Sequence, residues 1–236
     1  GDVLTVKHAG TDELTNDTVV VREILDGGIA IIDSSRPLQD IVLDHGNVPL
    51  PPYLHRDATA NDIKRYQTVW GNKLGSAAAP TASLNMTEDL LSRLQQKGIQ
   101  IKYLTLHVGL GTFLPIRTDN IEEHHMHSEW FNIPADTIEA IKNTKAAHKR
   151  VIALGTTVTR TLEYWGKTGK TSGEDDIFIY PGFDFKVIDA LLTNFHAPKS
   201  TVLMLASAFA GWDHLKAAYE HAIAEDYKLL SYGDSM

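Results

Sequence analysis

Between residues 99 and 180 the chain alternates short apolar runs with longer amphipathic stretches. That alternation confines it to an α/β fold in which helices cover a sheet of largely parallel strands. Residues 99–108 alternate as a strand, 137–148 carry helical spacing, Val151-Ile152-Ala153-Leu154 is a buried strand, 157–165 a further helix and 176–180 a further strand. Upstream, Thr87 opens a helix over Leu90, Leu91 and Leu94 that stops at Gly98. Downstream, 200–210 is apolar on every face, so a helix there is expected to be buried all round, and an amphipathic helix follows over 213–225. Residues 167–174, where Gly, Lys and Thr crowd together, read as a mobile loop.

The first third differs. Val3-Leu4-Thr5-Val6, residues 18–25 and Ile29-Ala30-Ile31-Ile32 are β-branched runs, the last two separated by Asp26-Gly27-Gly28, a hairpin signal. The character changes near Ser34, where Ser34 or Ser35 is placed to cap a helix with Pro37 in its first turn, ending at Gly46. The prolines of Val48-Pro49-Leu50-Pro51-Pro52-Tyr53 require an extended segment. A polar helix is expected over 61–70.

The 236 residues are 43% apolar, enough for a substantial core, and contain no cysteine, so neither a disulfide framework nor a thiolate metal site is possible. A reducing cytoplasm is the expected compartment. The longest apolar stretch is far short of the roughly 20 residues of a bilayer span. Gly1-Asp2-Val3-Leu4 is neither a signal peptide nor an obvious native start, and a chain whose first part precedes it is expected. Thirty acidic residues against 22 Lys and Arg, a formal charge of −8, argue against non-specific coating of nucleic acid. A local basic patch at Lys142, Lys145, His148, Lys149 and Arg150 is matched by a plainer reading, the positive last turn of a helix.

The densest chemistry runs from Leu106-His107-Val108-Gly109-Leu110-Gly111 through Arg117 to His124-His125-Met126-His127-Ser128-Glu129. Gly109-Leu110-Gly111 lacks the third glycine of a dinucleotide loop, and Leu114-Pro115 stands where a helix should begin. The two glycines read instead as a sharp bend at a strand end, where ligands bind in α/β folds. The cluster of His124, His125 and His127 with Glu122, Glu123 and Glu129 has no distant pair of ligand spacing to complete a zinc shell, so no metal is assigned; a solvated loop and a proton-transfer or polyanion site are the alternatives. Gly155-Thr156-Thr157 follows a strand and opens a helix, a place for a carboxylate on free N–H groups or for simple capping by threonine.

These segments resemble one family. His107 to Arg117, His127-Ser128-Glu129-Trp130, Gly155-Thr156-Thr157 with Arg160-Thr161-Leu162-Glu163, Phe178-Ile179-Tyr180-Pro181-Gly182, Thr193-Asn194-Phe195-His196 and Ser231-Tyr232-Gly233-Asp234 are similar to the S-adenosylmethionine:tRNA ribosyltransferase-isomerases of queuosine biosynthesis. Pro49-Leu50-Pro51-Pro52-Tyr53, Tyr66-Gln67-Thr68-Val69 and Ala79-Pro80-Thr81-Ala82 match in the same order. Asn85-Met86 stands where the family pattern has a His-Phe pair, and Val158-Thr159 where it has Ser-Val.

The resemblance implies a barrel-like α/β main domain over 35–236, with residues 1–34 part of a small antiparallel β-barrel domain. It implies transfer and isomerisation of the ribosyl group of S-adenosylmethionine, a co-substrate, onto the 7-aminomethyl-7-deazaguanine at the tRNA wobble position, giving epoxyqueuosine, adenine and methionine. No metal or redox cofactor is called for, and the chain is expected to be a cytoplasmic monomer without a membrane partner. Asn85 supports a rival, a lapsed member that binds tRNA or S-adenosylmethionine without turnover; a metal-dependent hydrolase using the histidine cluster is another.

The chemistry needs a base beside the sulfonium, an acid for adenine and a site that orients methionine. His107 and His196 are the candidates for base and acid, with His127 and Glu129 the alternative pair. Thr156 and Thr157 are candidates for the methionine carboxylate. Arg117 and Arg160 are candidates for a carboxylate or phosphate, Tyr180 and Tyr232 for stacking on a base, and Asn194 and Asp234 for polar contacts at the ends of apolar runs.

Overall fold

The computed structural model describes residues 1–25, 30–71, 73, 75–76, 78–109, 121 and 126–236. They divide into two compact units, Gly1–Tyr66 and Gln67–Met236. The fold is mixed α/β with small sheets.

In the first unit, β1 (Val3–Lys7), β2 (Leu14–Ile24) and β3 (Ala30–Ser34) form an antiparallel meander in that order. The hairpin turn expected at Asp26-Gly27-Gly28 lies outside the described residues. Helix α1 (Leu38–His45) ends at Gly46 as expected, but no serine caps it. Ser34 Oγ instead donates to the Arg36 carbonyl and Ser35 Oγ to Asp17, and Pro37 occupies the cap position. Asp17, on β2, accepts from Arg36 at 2.9 and 2.8 Å and meets His45 Nε2 at 2.9 Å, which fastens the helix to the sheet. The Arg36 guanidinium holds the Asp17 carboxyl well below the usual carboxylate range.

Helix α2 (Ala60–Arg65) is shorter than the 61–70 expected. Thr59 and Asp62 make a capping box at its start. Beyond its end the Thr68 N–H takes the Gln67 side chain at 2.9 Å, a local bond that replaces the helical ladder.

The second unit holds α3 (Glu88–Gln96), β4 (Thr105–His107), β5 (Glu129–Asn132), α4 (Ala135–Ala146), β6 (Ile152–Leu154), α5 (Thr156–Thr168), β7 (Ser172–Asp175), β8 (Ala190–Leu192), α6 (Thr201–Ala210) and α7 (Trp212–Ala224). Thr87 caps α3 by accepting from the Leu90 N–H, as its position predicts. The expectation of largely parallel strands is corrected. Of the described ladders in this unit, β6–β8 is parallel, whereas β4–β5 and β5–β7 are antiparallel.

Two strands carry that correction. Residues 172–175, read as part of a loop, are β7, and residues 176–180, read as a strand, form no ladder among the described residues although Ile177 and Ile179 are buried. Alternating apolar residues report burial, not a hydrogen-bonded neighbour. The strand expected over 99–108 shrinks to three residues because its partner β5 is brief, stopping before Pro134 at the start of α4.

Phe131, Ile133, Ile141, Val151, Ala153, Leu162, Val187 and Ile188 make the main core, between β5 and β6 and the helices α4 and α5. Ile177, Ile179 and Leu205 make a second cluster. Helix α6 is buried at Leu205, Ala206 and Ser207 but not all round, which corrects the reading of an entirely interior helix. Among the described residues no helix is long and apolar enough to cross a membrane.

Candidate active site at the ends of the parallel strands

In a parallel pair both carboxyl ends reach the same edge, and ligands gather there. The β6–β8 pair runs Ile152 to Leu154 beside Ala190 to Leu192, and the Gly155 N–H extends the ladder by donating to Leu192 O at 2.8 Å. Helix α5 starts at once. Gly155 lies at φ 97° and ψ 153°, a conformation that side-chain-bearing residues rarely adopt, and no side chain caps the helix. Capping by threonine, one of the two readings of this segment, is therefore not what the structure shows. Thr156 is buried and Thr157 half-buried.

Two further segments reach this edge. A 3-10 turn at Thr81–Ser83 brings Ala82 so near that a Cβ on Gly155 would stand 3.4 Å from the Ala82 Cβ. From that turn Thr81 Oγ1 donates to Asn194 Oδ1 at 3.1 Å. Asn194, 3% exposed, leaves its Nδ2 without a hydrogen-bond partner among the described residues. The C-terminal residues pair with the same strand extension, Thr193 and Met236 exchanging N–H···O bonds at 3.0 and 2.8 Å. Asn85 Nδ2 donates to Gly233 O at 3.0 Å and Ser235 Oγ at 3.2 Å. Asp234 accepts from the Lys228 N–H, so it shapes this terminal turn, and Tyr232 beside it is half-buried.

His196 follows Asn194 and is half-buried. Its Nε2 lies 3.2 Å from Thr193 Oγ1, and its backbone is clamped by Tyr219, whose hydroxyl accepts from the His196 N–H at 2.6 Å and donates to its carbonyl at 3.0 Å. Burial lowers the His196 pKa to about 4, so at neutral pH it is an uncharged imidazole.

His107 stands on a different sheet, at the end of β4. Its ring meets Trp130 edge-on at 5.0 Å, and Gly75 approaches so closely that a Cβ there would fall 2.1 Å from His107 Nδ1. Beside it, Ser76 Oγ accepts from the Val108 N–H at 2.9 Å. Among the described residues no hydrogen bond or ring contact joins His107 to His196. Gly109 has open space around it and no left-handed φ; Leu110 and Gly111, and with them the bend expected at the two glycines, lie outside the described residues.

The structure brings together two residues that sequence reasoning had placed in separate roles. Arg160 Nη1 meets Glu129 Oε2 at 3.4 Å and Arg160 Nη2 meets Asp175 Oδ1 at 3.6 Å, with all three side chains buried. Glu129 and Asp175 are cross-strand partners in β5 and β7. Burial raises the Asp175 pKa against the pull of Arg160. His127, proposed to act with Glu129, is exposed. Tyr180 lies elsewhere, lining a cleft of about 600 Å³ with Tyr164, Phe178 and Phe183. Lys145 of the basic run is held by Asp189 at 2.6 Å. Arg117, Glu122, Glu123, His124 and His125 lie outside the described residues; among the described ones, no group of acidic residues and histidines is arranged to hold a metal ion.

Sequence reasoning passed over Thr81, Gly75 and Asp175. A threonine after proline and a glycine among small residues carry no periodic signal, and Asp175 was hidden by the polar composition of β7. The useful cue was the apolar alternation at Ile177 and Ile179, which shows that the chain has already entered the interior.

Comparison with known proteins places the chain beside one family. A model of the queuosine biosynthesis protein family matches residues 3–236. A protein of Pelodictyon phaeoclathratiforme named S-adenosylmethionine:tRNA ribosyltransferase-isomerase is 56% identical over 227 residues, covering 92% of this chain and 67% of its own. A protein of the same name from Chlorobium luteolum is 56% identical over 225 residues, covering 92% and 66%. The crystal structure of an S-adenosylmethionine tRNA ribosyltransferase from Thermotoga maritima superposes with a TM-score of 0.56 at 30% identity, over 94% of this chain and 61% of that one. The chain spans about two thirds of the length of the curated relatives it matches.

Proposed function

The chain belongs to the queuosine biosynthesis protein family, and we propose that it transfers and isomerises the ribosyl group of S-adenosylmethionine onto the 7-aminomethyl-7-deazaguanine of a tRNA wobble position. The products are epoxyqueuosine, adenine and methionine. The observation that carries this reading is 56% identity across 92% of the chain to a protein of that name.

Within this reading the candidate residues divide the roles. His196, uncharged at neutral pH beside the open strand ends, is the base that removes a proton next to the sulfonium. His107 is the acid for departing adenine, and Tyr180, in its aromatic cleft, offers a stacking face. Arg160 serves by holding β5, β7 and α5 together rather than by meeting substrate. The finer architecture follows the family: residues 1–34 as part of a small antiparallel β-barrel, 35–236 as the barrel-like catalytic domain, acting as a cytoplasmic monomer with no resident cofactor.

Asn85 bears on the rival reading of a lapsed member. Its amide ties the 3-10 turn to Gly233 and Ser235, a donor role in the scaffold that an imidazole N–H can also fill. That contact supports a place for Asn85 in the scaffold. The test is incubation with S-adenosylmethionine and tRNA carrying the aminomethyl base, following adenine release and the mass of the modified nucleoside. Binding of both substrates without adenine would establish the lapsed member.

A further inference from the structure

A helix that begins in the interior leaves its first N–H groups in want of acceptors. In α5 the earliest helical bond runs from the Thr159 N–H to Gly155 O, so the N–H groups of Thr156, Thr157 and Val158 precede it, and none finds an acceptor among the described residues. Thr156 is buried, which keeps this turn from ordinary hydration. Independently, the Asn194 amide nitrogen is buried without a partner among the described residues at the same strand edge. On its other side Thr81 Oγ1 donates to Oδ1 at 3.1 Å. The bond between Gly155 and Leu192, with the packing of Ala82 against Gly155, sets the turn, the amide and the hydroxyl around one place.

These donors are neutral and numerous. The nearest cation along α5, Arg160, is engaged with Glu129 and Asp175. Such a set suits a group with one negative charge and two planar oxygens better than a phosphate, and the helix N-terminus favours the charge. We infer that the first turn of α5 and the Asn194 amide form a carboxylate subsite that takes the amino-acid end of S-adenosylmethionine. This rests on the function proposed above and assigns which end of the co-substrate lies at the parallel strand ends. The sulfonium and ribose then extend outward from an anchored carboxylate.

The test is calorimetric titration of the chain with S-adenosylmethionine and with its decarboxylated analogue, which differ at the carboxylate. The parent should bind S-adenosylmethionine at least about tenfold more tightly. Asn194→Asp, which sets a carboxylate against a carboxylate, should remove that preference and leave the analogue's affinity within about twofold. Should that variant not fold by circular dichroism, Thr81→Val, which frees the amide to rotate, should show the same selective loss. Acetate should compete and inorganic phosphate should not. Equal binding of the two ligands to the parent, equal weakening of both by the variant, or competition by phosphate alone overturns the subsite while leaving an S-adenosylmethionine site in place. Failure of S-adenosylmethionine itself to bind overturns the functional reading beneath it.

Discussion

Helix α5 meets buried polar groups at its first turn and again along its middle, and it treats them in opposite ways. At the middle everything is matched: Arg160 lies between Glu129 and Asp175, Thr161 Oγ1 donates to Asp175 at 3.3 Å, and the Glu163 carboxylate accepts the N–H groups of Lys186, Val187 and Ile188 at 2.7 to 3.0 Å. At the first turn the N–H groups of residues 156–158 and the Asn194 Nδ2 find no acceptor among the described residues. A buried polar group that is satisfied contributes to holding the fold, and the unsatisfied set at the helix start is where we infer that a ligand completes the hydrogen bonding. The difference separates scaffold from site within one helix.

The largest effect should come from breaking the matched region. Arg160→Met removes the cation and strands two buried carboxylates, which should destabilise the chain by about 3–5 kcal/mol in urea denaturation. Replacing all three, with Glu129→Gln and Asp175→Asn added, should recover most of that loss, because the cost lies in the uncompensated charges. A neutral single substitution would erase the contrast, since the middle of α5 would then owe nothing to its ion pairs.

Next comes His107, which lies outside both regions. If chemistry extends to β4, His107→Ala should lower turnover by about 10²–10⁴ while S-adenosylmethionine affinity and folding stay near parental values. A folded variant with near-parental turnover confines the reacting groups to the parallel strand ends and moves the acid role away from β4.

The pH dependence of stability tests His196. Its folded pKa of about 4 lies below the unfolded value of about 6.5, so as pH falls below 6.5 the unfolded chain takes up a proton that the folded chain refuses. The stabilisation present above 6.5 is lost progressively down to about 4, by about 3 kcal/mol. Asp175 acts with the opposite sign. Its raised folded pKa lets the folded chain bind a proton before the unfolded chain does, which adds stability as pH falls toward 3.8. Denaturation midpoints of parent and His196→Gln across this range separate the two, since the variant should lose the histidine contribution and retain those of the carboxylates, Asp175 among them. Parallel curves would mean that the imidazole is not desolvated.

Legibility in the sequence follows the same contrast. Helices α3, α4, α5 and α7 and strand β6 were readable from apolar spacing and, at Thr87, from a cap. What escaped were short strands whose partners come from far along the chain: β5 and β7 lie about forty residues apart and hold polar residues because their inward side chains feed an ion cluster. At the site, His196, Asn194, Thr156 and Thr157 were recognisable as polar groups closing apolar runs. Arg160 looked like a ligand-binding cation, and its two anionic partners, Glu129 and Asp175, come together with it only through strand pairing.

The smallest expected effect bears on the open end of the helix. Gly155→Ala places a side chain on a residue at φ 97° and ψ 153°, which should lower stability by about 1–2 kcal/mol through backbone conformation. Space is not the obstacle, because the added Cβ would sit 3.4 Å from Ala82, the near edge of ordinary contact. A double-mutant cycle with Ala82→Gly decides between the two causes. A conformational origin predicts a coupling energy near zero, since enlarging the gap does nothing for an unfavourable φ. Substantial rescue would mean that Ala82 presses on the start of α5, and that the gap between the 3-10 turn and the helix is set by packing rather than by the backbone of Gly155.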